Sequence, residues 1–383
     1  MHVLLYCAAF LDLVGFGIVA PILPLAVTAV GGTAEDAGVT LASYSVAQLI
    51  MAPCLGMLAD RVGRRPVVLL SLLGNAVSMA LLGVAMASSS VVGMVVARVL
   101  AGATAGNLAT LQLIVVDTSS EHERAARLGR FGAAMGVGMV TGPLLGAGLS
   151  ERGIWVPAAA AGLVALLAAL AALVILPETR PARDGAPPAA FMIPQRGSVH
   201  ILVVILAAYL CTSLLQAVMP LVVQQRRGWG ADAAGVGFAV FGAVLLAVQG
   251  ALIAPLTRRY LPRSVMIAGA AMMAVGGAGL MAGMHAATLL AALVVMAAGM
   301  GLITPLATAT LAALTPAGER GRILGWQQVA GTLGRVVGPL AGGFLLERQG
   351  SAAALGAVIL VALTATIVLV RNRPATCSPA PTA

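Results

Sequence analysis

Asp12 is an acidic side chain inside a run that is otherwise apolar from residue 3 to residue 28. Lipid solvates charge poorly, so an ionisable group placed there must face water, meet a partner, or take up a proton. Counted from residue 3 at 1.5 Å per residue, Asp12 lies about 13 Å along such a run. That depth suits a carboxyl that exchanges a proton or meets a cationic cargo. The plainer alternative is a structural aspartate that hydrogen-bonds a neighbouring helix. Arg98 lies in a second apolar run, about 10 Å from its end. A cation there can hold a nearby carboxylate ionised and let go of it when helices move. Arg335 is the other cation inside an apolar run. It reads as structural, paired with a backbone carbonyl, or as a contact for an anionic group of a cargo.

Uncharged polar residues also interrupt the apolar runs: Tyr44, Gln48, Asn75, Asn107, Gln112, Gln216, Gln249, Gln327 and Gln328. Such side chains prefer an interior face. Phe16, Tyr209, Phe238, Phe241 and Trp326 can add apolar contacts. Asp12, Gln48, Gln216 and Trp326 are the expected cargo-facing residues. Pro21 and Pro24 are expected to shape the far half of the first run.

Other chemistries find no support. His2, His122, His200 and His285 stand at the ends of runs or in loops. No Ser/His/Asp set falls on one helical face, and no GxxxxGK[ST] occurs. Cys7, Cys54, Cys211 and Cys377 have neither metal-ligand spacing nor a disulfide framework. An enzyme is therefore not expected, nor a bound metal or cofactor.

The elements that must position these residues follow from composition. The 383 residues are 60% hydrophobic and 9% charged, with mean hydropathy +1.02. Soluble domains carry about 25% charge, so lipid must be the solvent for much of this surface. Runs long enough to span a bilayer occur near 3–28, 38–59, 67–87, 91–116, 125–149, 154–176, 199–223, 233–256, 264–284, 287–313, 322–346 and 351–370. The reading is an all-α membrane protein with twelve transmembrane helices in two pseudo-symmetric six-helix bundles. The bundles cover 1–176 and 199–373. A proline-rich linker covers 177–198, and a disordered tail covers 374–383.

The net charge of +9 comes from 22 arginines, with no lysine. Sixteen arginines fall in loops on one side of this threading, and only Arg152, Arg226, Arg227 and Arg348 on the other. Cytoplasmic loops are the basic ones, so both termini and the linker are expected in the cytoplasm. Charge held in short loops between apolar spans is not a nucleic-acid surface. An internal repeat supports the division. Glu123-Arg124, Leu128-Gly129, Gly142-Pro143 and Gly146 recur 196 residues later as Glu319-Arg320, Leu324-Gly325, Gly338-Pro339 and Gly342. Arg61 and Arg65 answer to Arg259 and Arg263. Two similar halves in one orientation suit alternating access around a central site.

The most charge-dense loop joins the second and third spans: Gly56-Met57-Leu58-Ala59-Asp60-Arg61-Val62-Gly63-Arg64-Arg65-Pro66. Asp60 ends a span where a carboxylate can face the positive end of another helix. Gly63 permits a tight turn and Gly56 a close helix contact. Arg64 is placed to pair with Asp117 at the same end of the fourth span. Arg61 and Arg65 read equally well as topology signals. In the fifth span, Gly138, Gly142 and Gly146 recur every four residues and clear one helical face, and Pro143 removes a backbone bond.

That loop resembles the G-x-L-a-D-R-x-G-R-R-P signature of the major facilitator superfamily. The fifth-span glycines with Gly142-Pro143 resemble the motif of its drug:proton antiporters, and Arg98 with Gly102 and Gly106 resembles their fourth-span arginine motif. The stretch Leu11 to Pro24 is similar to the twelve-span tetracycline and multidrug exporters. The resemblance implies a latch at Asp60, Arg64 and Asp117, proton coupling through Asp12 and Arg98, and export of small drug-like molecules in exchange for protons. A bacterial inner-membrane monomer, multi-pass in the lipid bilayer, is the expected form. A facilitator of a sugar or other metabolite is the alternative within the fold, and a non-transporting membrane sensor the alternative outside it. The second half lacks a carboxylate matching Asp12; the position opposite it is near Cys211.

Overall fold

A computed structural model describes residues 2–175, 196–283, 285–316 and 319–372, all of them in helices or the short turns between helices. In hydrocarbon every backbone N–H and C=O must be satisfied within the chain, which selects helices. The first crossing is α1 (His2–Val19) and α2 (Leu23–Ala29), joined at Pro21 with Pro24 in the first turn of α2. The second is α3 (Ala34–Val62), started by a capping box in which Thr33 and Asp36 bond reciprocally. It ends at Gly63, whose φ of 101° leads straight into α4 (Arg64–Ala87). A β-carbon would strain that backbone, so the tight turn expected at Gly63 is present.

The fourth crossing is α5 (Val91–Ala103) and α6 (Asn107–Asp117), interrupted at Thr104 to Gly106. The sequence pattern expects one unbroken helix there. Then follow α7 (Glu121–Ser150), α8 (Val156–Ile175) and α9 (Arg196–Arg227). The eighth crossing is α10 (Ala231–Ala247) continued through a π turn at Val248–Leu252 into α11 (Ile253–Arg259). After α12 (Pro262–Ala282) and α13 (Ala286–Ala313), α14 (Arg320–Arg371) runs for 52 residues. It turns back at Gly350, with φ of 83°, so α14 supplies both the eleventh and twelfth crossings. Twelve crossings result, although the last two need no separate loop. Residues 196–198, read from sequence as linker, are already the start of α9. The rest of the expected linker, 177–195, and the tail at 374–383 lie outside the described residues.

Ten of the described helical stretches are long and apolar enough to cross a membrane, the double-length α14 among them. On α8, Leu163, Leu167, Leu170 and Val174 form one exposed apolar face, as a lipid-facing helix requires. The internal repeat reappears as packing. Gly138, Gly142 and Gly146 of α7 lie against α1, and Gly334, Gly338 and Gly342 of α14 lie against α9 in the same way. Arg65 donates to the Leu173 carbonyl at 2.6 Å, at the end of α8. Its repeat mate Arg263 donates to the carbonyls of Leu369 (2.8 Å) and Val370 (2.6 Å), at the end of α14. Each arginine satisfies carbonyls that a helix C-terminus leaves open.

Candidate functional site

A cavity of about 740 Å³ opens between the two bundles. Its first-bundle wall includes Asp12, Tyr44, Gln48, Gln112 and Phe131; its second-bundle wall includes Tyr209, Trp326, Gln328, Thr332 and Arg335. Arg322 and Gly325, at the start of α14, also line it, so the cavity reaches toward the arginine-rich end. Of the four expected cargo-facing residues, Asp12, Gln48 and Trp326 are in this wall, whereas Gln216 is not among the lining residues. Gln327 turns elsewhere, its amide donating to Thr308 on α13 at 2.6 Å.

Asp12 is carried by α1, and α7 fixes the path of α1. A β-carbon on Gly138 would lie 2.8 Å from the Phe10 carbonyl oxygen and 2.9 Å from the Leu13 β-carbon. On Gly142 it would lie 2.8 Å from both Gly17 Cα and the Val14 oxygen, and on Gly146 it would overlap the Ile18 carbonyl. The two backbones therefore touch, and no side chain fits between them. Gly17 accepts the Pro143 ring in turn: a β-carbon there would meet Pro143 Cδ at 2.8 Å.

A polar annex of about 30 Å³, room for about one water, adjoins Asp12. Phe16, Tyr44, Ser71, Asn75, Arg98 and Thr104 help to line it. Arg98 is 3% exposed. Its guanidinium carbon stands 4.6 Å from the Tyr44 ring centroid, within cation–π range. Arg98 Nε and Ser71 Oγ, both buried, make no hydrogen bond among the described residues. Gly102 admits the Tyr44 carbonyl into contact, which draws α5 onto α3 and sets this stack. Tyr44 lines both the annex and the main cavity, as Asp12 does. Tyr44 thus stacks on Arg98 and shares both cavity walls with Asp12, a role its isolated place in the sequence does not signal.

The second bundle has its own arginine–tyrosine stack. The Arg335 guanidinium carbon is 5.1 Å from the Tyr209 ring centroid, and its Nη2 donates to Thr332 Oγ1 at 2.9 Å. Gly331 and Gly334 leave room for Tyr209 to lie against α14; β-carbons there would meet it at 3.1 and 2.8 Å. The sequence favours a structural Arg335, and the structure sets it in the cavity wall. Cys211, near the position opposite Asp12, is buried and donates to the Val358 carbonyl at 3.3 Å.

At the other end the bundles close on each other. A β-carbon on Gly38 of α3 would overlap the Pro339 carbonyl of α14, and one on Gly343 would overlap the Ala34 carbonyl. Across the molecule, a β-carbon on Gly235 of α10 would lie 2.6 Å from both the Pro143 carbonyl oxygen and the Ala147 β-carbon of α7. Glu35 and Arg348 pair at 2.8 Å, and Glu347 accepts from the Ala34 N–H at 2.9 Å. None of these closing contacts is foreseen in the sequence; the two that involve Glu35 and Glu347 join residues 313 positions apart.

The expected latch is only partly in view. Arg64 is 6% exposed and Arg61 is exposed. The side chains of Asp60 and Asp117 lie outside the described residues, so their pairing with Arg64 does too. Gly56 does not make the close helix contact expected of it: it is exposed, and a β-carbon there would meet nothing within 4 Å.

The family model of the Major Facilitator Superfamily matches residues 5–254 and 201–383. Among curated proteins, the class E tetracycline resistance protein of Escherichia coli is 40% identical over 179 residues, 46% of this chain and 43% of that protein. This match thus spans less than half of that relative. The class C protein of Escherichia coli is 32% identical across 70% of this chain and 69% of its own length. The class D protein of Salmonella ordonez is 28% identical across 94% and 95%. Among solved structures, the human organic anion transporter TETRAN superposes with TM-score 0.71 at 22% identity, covering 96% of this chain and 98% of that one. A bacterial homologue of the iron transporter ferroportin, in an inward-facing state, superposes with TM-score 0.78 at 13% identity over 97% and 98%. These two show a shared fold. With two six-helix bundles enclosing one central cavity, and with these sequence matches, the chain belongs to the Major Facilitator Superfamily, in the group that includes the tetracycline resistance proteins.

Proposed function

We propose that this protein exports small, amphipathic, drug-like molecules across the bacterial inner membrane in exchange for protons. One observation carries the reading: Asp12 stands in the wall of a cavity sealed at one end and reached from the other. The arginine-rich end, with both termini and the segment 177–195, faces the cytoplasm. The described state is then open to the cytoplasm and closed outside. The names of the tetracycline resistance proteins support a drug-like cargo.

The cycle uses groups already in place. Cargo enters from the cytoplasm or inner leaflet and settles between Gln48 and Trp326, beside Asp12. Its arrival expels the proton held by Asp12. Arg98, stacked behind Tyr44, then stabilises the ionised carboxylate. The bundles rock, parting Gly38 from Pro339 and Gly235 from Pro143. Arg64, with Asp60 and Asp117, latches the cytoplasmic side. Cargo leaves outside, and an incoming proton resets Asp12. The α7 glycine face links the two events. It grips α1, which bears Asp12, while the Pro143 carbonyl on the same helix meets α10 of the other bundle. The protein works as a monomer, its cargo cavity lying between its own two bundles.

The test is proton movement in proteoliposomes containing a pH-sensitive dye. Tetracycline or ethidium added on the cytoplasmic face should drive protons across the membrane. If neither moves protons while a sugar or another metabolite is carried, the metabolite reading replaces this one.

A further inference from the structure

We propose that Arg335, with Tyr209 and Thr332, forms the binding point for an anionic group of the cargo, so that the preferred substrates are amphipathic organic acids bearing a carboxylate or enolate. The inference rests on the exporter reading only in taking the central cavity as the cargo site.

Three observations support it. Arg335 is half-buried in the cavity wall, and no carboxylate among the described residues forms an ion pair with it. An intramembrane cation without a protein counter-charge marks a ligand or ion path. Second, the guanidinium is pre-oriented. Tyr209 supports one face and Thr332 takes one N–H. The remaining donors of the planar fork suit a two-oxygen acceptor. Third, the balance of charge in the wall is positive. Asp12 is the only carboxylate among the lining residues, against Arg322 and Arg335, with Arg98 behind Tyr44. Arg322 already has Glu319 at 3.4 Å. Trp326 and Tyr209 lie on the same wall and offer aromatic contact to the cargo body.

The experiment measures equilibrium binding to purified full-length protein in detergent, without a gradient, so a failure of proton coupling leaves its result readable. Fluorescein serves as the anionic probe and ethidium as the cationic one, each followed by fluorescence anisotropy. Wild type should bind fluorescein more tightly than ethidium. Arg335→Gln should weaken fluorescein about 10-fold or more, as expected for losing a charge-assisted pair, and should reverse the order of the two probes. Arg335→Lys should restore part of the loss. A competition series on wild type keeps the test decisive if Arg335→Gln fails to fold: benzoate should displace fluorescein, and benzamide and benzamidine should not. Unchanged fluorescein affinity in a folded Arg335→Gln protein, or displacement by benzamidine and not benzoate, would overturn the proposal.

Discussion

Gly38 and Pro339 touch across the bundle interface so closely that a β-carbon on Gly38 would overlap the Pro339 carbonyl oxygen. The pseudo-symmetric contact joins Gly235 to the carbonyl of Pro143. In each case a glycine on the opposing bundle lets the proline's own carbonyl approach its backbone. Closure of this end, the outer one in the proposed orientation, is therefore a backbone-to-backbone fit that one methyl group can spoil. Gly38→Val should hold the outer end open. In a protein lacking Cys7, Cys54, Cys211 and Cys377, a cysteine at Gln48 should react with a membrane-impermeant maleimide from outside about 10-fold faster when Gly38→Val is added. An unchanged labelling rate would show that the contact does not control closure.

The glycine face of α7 makes a sharper packing prediction. Gly142→Leu must push α7 away from Gly17 and Val14. It should cost about 1–3 kcal/mol, the usual penalty for overpacking. Gly148→Leu, on the exposed side with nothing within 4 Å, should change stability by less than about 0.5 kcal/mol. Unfolding of both variants in detergent micelles compares them directly, and equal losses would refute a specific role for the motif face.

The Glu35–Arg348 pair is exposed, so its removal should scarcely alter thermal stability. Its effect should be on the balance between open and closed outer ends. Glu35→Arg should place like charges together and raise the maleimide rate at position 48. Combining it with Arg348→Glu should bring the rate back toward wild type. Failure of the double exchange to restore the rate would mean that the pair is incidental to closure.

Tyr44 should matter as a ring more than as a hydroxyl. Tyr44→Phe keeps the face under Arg98 and should leave transport within a few-fold of wild type. Tyr44→Leu removes the cation–π contact, worth about 0.5–2 kcal/mol, and should lower proton-coupled transport by about 10-fold. Paired transport assays separate the two. Equal losses would assign the effect to the hydroxyl instead.

Much of the architecture is legible in the chain because lipid imposes strong rules. Apolar runs mark the crossings. The repeat from Glu123 to Gly146 anticipates the matching packing of α7 on α1 and α14 on α9. The missed details depend on contacts between distant segments. The break at Thr104 to Gly106 lies within a run whose apolar pattern reads as continuous. Gly56 looks like a packing glycine only until its exposed surroundings are seen. Glu35 and Arg348 read as isolated loop charges, and only closure of the bundles joins them. Arg98 and Arg335 are both conspicuous as intramembrane cations. Tyr44 and Tyr209, which support them, are two aromatic residues among many apolar ones, and no local spacing announces that role.

The central claim is that Asp12 carries the proton exchanged for cargo. The most direct measurement compares tetracycline-driven proton movement in proteoliposomes for wild type and Asp12→Asn, with tetracycline binding measured on the same preparations. Wild type should move protons when tetracycline is added. Asp12→Asn should bind tetracycline and move none in response. Proton movement at the wild-type rate in Asp12→Asn would contradict the account.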